Sequence, residues 1–146
     1  MDYTALYLAD SSLIGSKTLD NFSDVIRSYR PKSENENAVG MIIELDEAVI
    51  DCNFMPEKEI NNHLQGLNGF VKTHLQDGIS LSYPLDRIYN VHIVIGCSIT
   101  PKFDTHSKVL GFMKNYNNFL RSMIFYEDAL WDYDWQCLAS IYTNSS

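Results

Sequence analysis

The chain has 146 residues, of which 45% are hydrophobic and 21% are charged, and its net charge is -8. This length is typical of one domain, and the apolar content is sufficient for a core without disulfides or metals. We therefore expect a single folded domain over residues 1–146. The negative charge repels nucleic-acid phosphates and favours a basic protein as partner, so we expect no binding to DNA or RNA.

The cysteines and the apolar runs indicate where the protein resides. Cys52, Cys97 and Cys137 show no C-x-x-C spacing, which argues against a disulfide scaffold or a zinc site and predicts reduced thiols. No basic segment followed by an apolar run opens the chain, so no secretory signal is expected. The longest apolar stretch, residues 91–99, is too short to span a bilayer. We expect a cytoplasmic protein without membrane association.

The first two predicted elements are a strand and a helix. Residues 3–9 (YTALYLA) are short, aromatic and apolar, and the segment ends at polar residues, which predicts a strand. Apolar residues at helical spacing, followed by Pro31, predict a helix over residues 18–30. These apolar residues are Leu19, Phe22, Ile26 and Tyr29.

A hairpin and the clearest helix come next. Apolar runs at 39–45 and 48–55 flank an acidic pair, and the second run alternates as a half-buried strand does, so the two predict a hairpin. Pro56 stands where a helix can begin, and Gly78 is a candidate for its C-terminal cap. The apolar stripe of this helix is Ile60, Leu64, Leu67, Val71 and Leu75.

The second half of the sequence predicts one long strand and a third helix. Residues 79–87 read as irregular, and residues 88–99 as a strand that ends at Thr100-Pro101. Asp104 or Thr105 can cap a helix that carries Val109, Phe112, Met113, Tyr116 and Leu120. Residues 123–126 predict a short strand, whereas residues 130–141 fit either a strand or a short helix.

The predicted order is β-α-β-β-α-β-α-β. Strands that alternate with helices, together with one hairpin, indicate an α+β fold with a mixed sheet and helices packed on it. A ferredoxin-like or related sandwich is the arrangement we expect.

The sequence contains few candidates for catalysis. The four histidines, His63, His74, His92 and His106, form no H-E-x-x-H or H-x₃-H spacing. His92, on the less apolar face of the predicted strand 88–99, could act as a general base in a small hydrolase or transferase. Cys97 lies five residues after His92 on that strand. An odd separation places two side chains on opposite faces, so Cys97 faces away from His92.

Motifs for cofactors are missing as well. Gly66 and Gly69 lie within the predicted second helix and not in a loop after a strand, so they do not form a phosphate-binding loop. The acidic residues around the hairpin turn at Asp46 match no calcium-binding loop. We therefore expect no cofactor, no metal and no catalytic residue, and we interpret the protein as non-enzymatic.

The most distinctive segment is residues 125–135, which combine both tryptophans with four carboxylates. If residues 130–136 are extended, the aromatic side chains share one face, in the core or in an interface, and Asp132 and Asp134 project from the other. Aromatic residues are common interface anchors, and carboxylates attract Arg and Lys of a partner. The predicted partner-binding residues are Glu127, Asp128, Trp131, Asp132, Tyr133, Asp134 and Trp135.

Four segments carry a resemblance to known proteins: LYLAD, GMIIELDEAVIDCNFMP, HIVIGCSIT and SMIFYEDALWDYDWQCL. They resemble segments of small uncharacterised bacterial α+β domains, some of which look like immunity proteins. The resemblance implies a protein that neutralises a basic toxin or effector by binding it, as a monomer or a homodimer. The alternatives are the His92 enzyme and a self-associating structural domain, in which the aromatic row forms a symmetric contact.

Overall fold

A computed structural model describes residues 2–9, 19–31, 40–46, 48–100 and 108–142. Within these residues the chain forms one sheet of eight strands with three α-helices packed on it, which confirms the α+β class. The strands are β1 (Asp2–Leu8), β2 (Ile26–Pro31), β3 (Gly40–Leu45), β4 (Val49–Phe54), β5 (Ile93–Thr100), β6 (Met123–Tyr126), β7 (Ala129–Trp131) and β8 (Cys137–Ser140). The helices are α1 (Glu57–His74), α2 (Ser82–Tyr89) and α3 (Lys108–Leu120), and Asp20–Phe22 form a 3-10 turn.

The strand order in the sheet is β2-β3-β4-β5-β1-β6-β7-β8. Every pair of neighbouring strands is antiparallel, so the prediction of a mixed sheet is wrong. Strand β1 lies inside the sheet, where Leu6 pairs with Ile95 of β5 on one side and with Ile124 of β6 on the other. Neither the predicted order β-α-β-β-α-β-α-β nor the ferredoxin-like arrangement is confirmed.

Helices cover both faces of the sheet. Side chains alternate along a strand, so Leu6 and Leu8 of β1 pack in the cluster that contains α3, whereas Tyr7 packs in the cluster that contains α1 and α2. The predicted stripe of the long helix is confirmed as far as Val71, because Ile60, Leu64, Leu67 and Val71 are its buried residues, whereas Leu75 follows the end of the helix. Within the described ranges, no helix has both the length and the apolar character needed to cross a bilayer.

The structure confirms five of the predicted elements. They are strand β1, the hairpin β3–β4, helices α1 and α3, and strand β6. The candidate caps Asp104 and Thr105 lie outside the described residues. Gly78 does not cap α1, which ends at His74. It has a φ of 84° in a separate turn, where the amide of Ile79 donates to the carbonyl of Gln76.

The helix predicted over residues 18–30 is wrong. Of the described residues 19–30, Leu19 is α-helical and Asp20–Phe22 form the 3-10 turn, but the segment then continues as the edge strand β2, paired with β3. Leu19 and Ile26 are buried, as a helix would also require. Backbone hydrogen bonding to β3 outweighs the helical spacing, because the β-branched Ile26 suits a strand and pairs with Leu45.

Two further boundaries differ from the predictions. Residues 79–81 are irregular as predicted, but residues 82–87 are not, because helix α2 begins at Ser82 and places Pro84 in its first turn, where a missing backbone N–H costs little. The long strand consequently begins at Ile93 and not at residue 88. Residues 130–141 form parts of two strands, β7 and β8, joined by a tight loop over residues 132–136.

A two-residue turn connects β6 to β7. Tyr126 pairs with Ala129, and the intervening Glu127 and Asp128 have φ values of 51° and 59°. Positive φ at both central residues is the type I′ geometry that matches the twist of a hairpin. Glycine and asparagine adopt this geometry most easily, so the two acidic residues occupy it at a cost in stability.

Replacing Asp128 by glycine should therefore stabilise the protein. The left-handed conformation costs other residues roughly 1–2 kcal/mol, while the freedom of glycine in the unfolded chain costs roughly 0.5–1 kcal/mol. We expect D128G to raise the free energy of unfolding by about 0.5 kcal/mol in urea titrations. D134G is the control, because Asp134 is also exposed but has no positive φ. Equal destabilisation by both variants would contradict the strain at Asp128.

Candidate functional site

The segment predicted to bind a partner is divided by the structure into two regions. Strand β7 ends at Trp131, and residues 132–136 form a closed loop in which the amide of Asp132 donates to the carbonyl of Gln136 at 2.8 Å. The extended form of residues 130–136, on which the two-faced arrangement depended, is therefore found only at Leu130 and Trp131. Glu127 and Asp128 lie at one end of β7 and Asp134 lies beyond the other end, so the predicted residues do not form one continuous surface.

Asp132 is buried, which corrects the prediction that its carboxylate faces solvent. Its exposed fraction is 1%, and Oδ1 lies 3.0 Å from Nη2 of Arg87 and accepts the amide N–H of Tyr133 at 2.8 Å. The hydroxyl of Tyr83 donates to Oδ2. Burial and this hydrogen bond raise the pKa of Tyr83 to about 12. Three donors thus satisfy a buried carboxylate, which would otherwise destabilise the fold by several kcal/mol.

The loop is also fixed to helix α3. The side-chain amide of Asn117, which is fully buried, donates to the carbonyl of Asp132 at 3.0 Å, and Asn118 donates to the carbonyl of Tyr133 at 3.1 Å. Because Tyr83 and Arg87 belong to α2, the loop holds together a helix from each side of the sheet. The role of Asp132 is therefore to stabilise the fold.

The aromatic side chains at the end of β7 and in the loop are half-buried and already have partners. Trp131 and Trp135 stack with ring centroids 4.7 Å apart and planes 8° apart, and Nζ of Lys114 lies 4.7 Å from the Trp135 ring centroid. The guanidinium carbons of Arg87 and Arg121 lie 5.6 Å and 4.8 Å from the ring centroid of Tyr133. These rings neither fill the centre of the core nor stand free at the surface.

Glu127, Asp128 and Asp134 are the predicted binding residues whose side chains are exposed. Among the described residues, none of these three carboxylates forms an ion pair. Asp134 Oδ1 accepts the amide N–H of Gln136 at 3.1 Å, which keeps it within its own loop. Glu127 and Asp128 are therefore the carboxylates most available to a partner.

Exposed hydrophobic residues surround the Glu127–Asp128 turn. The amide of Ile141 donates to the carbonyl of Asp128, so Tyr142, which is 64% exposed, follows beside the turn. On the other side, the pairing of β1 with β6 begins at Ala5 and Phe125, and Tyr3, which is 73% exposed, precedes Ala5 at the same end of the sheet. We call Tyr3, Glu127, Asp128, Ile141 and Tyr142 the acidic turn surface.

The histidines lie apart from one another. His63 Nε2 is 2.8 Å from the hydroxyl of Tyr7, and partial burial lowers the pKa of His63 while burial raises that of Tyr7. His74 contacts the ring of Phe70. His92 lies before β5 and lines a cavity, and His106 is outside the described residues. In the part of the chain that is described, no cluster of His, Cys, Asp and Glu suits a metal ion.

Cys52 and Cys97 are directly paired across β4 and β5, and their sulfur atoms lie 3.7 Å apart. All three cysteines are free thiols in this structure. The hydrogen bond to Cys52, together with burial, raises the pKa of Cys97. Since the thiolate is the reactive form, Cys97 is protected from reagents by burial and by its raised pKa, and Cys52 is protected by burial.

The sequence analysis does not identify three residues that are important to this region, namely Arg87, Arg121 and Tyr83. The helix that carries Tyr83 and Arg87 was interpreted as irregular, although Leu81, Leu85 and Ile88 have helical spacing. Arg121 has a φ of 54° after α3, a conformation that the sequence gives no sign of.

Comparison with known proteins identifies no relative. No family model matches the sequence, and no curated protein or solved structure is significantly similar to the chain.

The burial of Asp132 predicts opposite results for two aspartates of one loop. D132N leaves Arg87 without its buried counter-ion and should lower the free energy of unfolding by about 3 kcal/mol. D134N alters an exposed side chain and should change it by less than about 0.5 kcal/mol. Urea titrations of both variants measure this difference, and similar values for the two would refute a structural role for Asp132.

The thiol environments predict selective labelling. In the native protein, a water-soluble disulfide reagent should modify half-buried Cys137 slowly, because burial raises its pKa, and should not modify Cys52 or Cys97. All the thiols should react once the protein is unfolded, and C137S should show no reaction in the native state. Rapid native labelling of Cys52 or Cys97 would be inconsistent with the β4–β5 pairing.

Proposed function

We propose that the protein is a non-enzymatic binding module that binds a basic protein partner through the acidic turn surface. The observation that carries this proposal is the Glu127–Asp128 turn, where two exposed carboxylates form no ion pair with any described residue, at an end of the sheet that also carries the exposed Tyr3 and Tyr142. Two unpaired negative charges attract Arg or Lys of a partner and increase the rate of encounter. Tyr3 and Tyr142 can then be desolvated in the contact and slow its dissociation.

The energetic cost of the turn is consistent with a binding role. Positive φ at two consecutive non-glycine residues is unfavourable, and Asn-Gly would relieve it without changing the hairpin. Glu127 and Asp128 therefore contribute carboxylates at an exposed site where another pair would be more stable. Strain of this kind is often found at sites of function.

The opposite end of β7 is less suited to a basic partner. Asp132 is not accessible there, and Arg87 and Arg121 flank Tyr133, so cations accompany the remaining carboxylate of Asp134. An approaching basic surface would meet charges of both signs. This contrast is our reason for assigning the partner to the Glu127–Asp128 end.

A toxin or effector is the class of partner that we propose. Its neutralisation requires only that a basic functional surface be covered, and the net charge of -8 supports attraction over a distance. The resemblance to immunity proteins favours the same interpretation. A symmetric homodimer through Tyr3 and Tyr142 is less favoured, because it would bring the Glu127 and Asp128 carboxylates of two copies together.

A small hydrolase or transferase is the second candidate, and one observation favours it. His92 lines a concave cavity that is also lined by the carboxylate residue Asp86. We place this function second because the cavity indicates no particular reaction. Loss of a measured activity in H92A would support it.

The partner can be tested by capture from the native host with immobilised protein. We expect wild-type protein to retain a basic protein, with retention that decreases as salt is added. E127K/D128K should reduce retention by about tenfold or more, because each change replaces attraction with repulsion. D77K/D134K is the matched control, since it alters charge equally at exposed sites away from the acidic turn surface.

The toxin assignment has its own test. Co-expression of the captured protein should be harmful to cells, and the wild-type chain, but not E127K/D128K, should restore growth. Equal retention of the partner by E127K/D128K and wild type would refute the acidic turn surface. A captured protein that is harmless would refute the toxin assignment alone.

A further inference from the structure

A cavity of about 450 Å³ lies at the end of the sheet opposite the acidic turn surface. Its walls come from the end of β1, the end of α2, the residues before β5 and the junction of α3 with β6. Its volume is within the range of pockets that bind small organic molecules. Two arginines, Arg87 and Arg121, line it, although the protein as a whole is acidic.

Arg87 is held in place but retains free donors. Its Nη2 is bound to the Asp132 carboxylate at 3.0 Å and donates to the carbonyl of Arg121 at 3.1 Å. Among the described residues, Nη1 has no hydrogen-bond partner, and Nε is buried without one. The guanidinium is therefore fixed through one nitrogen and can donate a hydrogen bond to a ligand through another. Because the side chain is already ordered, binding costs little additional conformational entropy.

Arg121 is positioned differently. Its guanidinium carbon lies 4.8 Å from the ring centroid of Tyr133, and within the described part of the chain its side chain has no hydrogen bond or ion pair. Stacking on an aromatic ring leaves the edge of the guanidinium, where its N–H donors lie, open to another group. Planar donors of this kind match the oxygens of a carboxylate or a phosphate.

The remaining walls suit an organic anion. Asn90 and His92 can supply further polar contacts, while Val91 and Met123 provide an apolar surface. The charges of Arg87 and Arg121 are formally balanced by Asp132 and by Asp86, which also lines the cavity. Selectivity would consequently depend on directed N–H donors and not on an excess of positive charge.

We propose that this cavity is a binding site for a small organic molecule that carries an oxyanion, a carboxylate or a phosphate. The oxyanion contacts the guanidinium groups of Arg87 and Arg121, and the body of the molecule lies against Val91 and Met123. This site is separate from the acidic turn surface and does not depend on the proposed function.

The test is an NMR titration of the full chain with phenyl phosphate, benzoate and neutral benzyl alcohol. We expect at least one anion to shift the amide signals of Asn90, His92 and Arg121, and the benzyl alcohol to produce no comparable shift. The comparison of the two anions distinguishes a phosphate site from a carboxylate site.

R121G provides the decisive variant. Glycine accepts the φ of 54° at this position, and the carbonyl that Arg87 contacts is retained. We expect R121G to weaken binding by at least tenfold, whereas R30A, which removes an exposed arginine paired with Glu44, should bind like wild type. No shift with either anion, equal binding of benzyl alcohol, or unchanged binding by R121G would overturn the proposal.

Discussion

The buried carboxylate of Asp132 is the constraint on which the end of the chain depends. A charge that is removed from water must be paired and hydrogen-bonded, and Arg87, Tyr83 and the amide of Tyr133 meet this need. To bring them together, the loop after β7 must close over α2. Asn117 then joins the same loop to α3. One side chain thereby links elements that cover opposite faces of the sheet.

This constraint gives the two ends of the sheet different properties. At the end near Asp132, arginines are held in fixed positions beside a cavity, and the carboxylate that would attract a basic partner is used within the fold. At the other end, the carboxylates of the turn at Glu127 and Asp128 form no ion pair with any residue that the structure describes. The proposed protein-binding and anion-binding sites therefore follow from one distribution of charge, in which Asp132 is internal and Glu127 and Asp128 are external.

Much of the fold could be predicted from local pattern. The stripe from Ile60 to Val71 and the alternation from Ile50 to Phe54 were sufficient because these segments use a single periodicity over their whole length. The helix over residues 18–30 was predicted wrongly because the spacing of its apolar residues, Leu19, Phe22, Ile26 and Tyr29, also suits a helix. The pairing with β3 determines that the segment forms a strand. Asp132 could not be placed, since its burial depends on Arg87, a residue distant in sequence and in a helix that was not predicted.

A double-mutant cycle between Asp132 and Arg87 tests the central claim most directly. D132N and R87M each remove one member of the buried pair, and the double variant removes both. We predict a coupling free energy of at least about 1.5 kcal/mol from urea titrations, with the double variant less destabilised than the sum of the single variants. Additive losses, with a coupling below about 0.3 kcal/mol, would contradict the claim that this ion pair organises the C-terminal part of the fold.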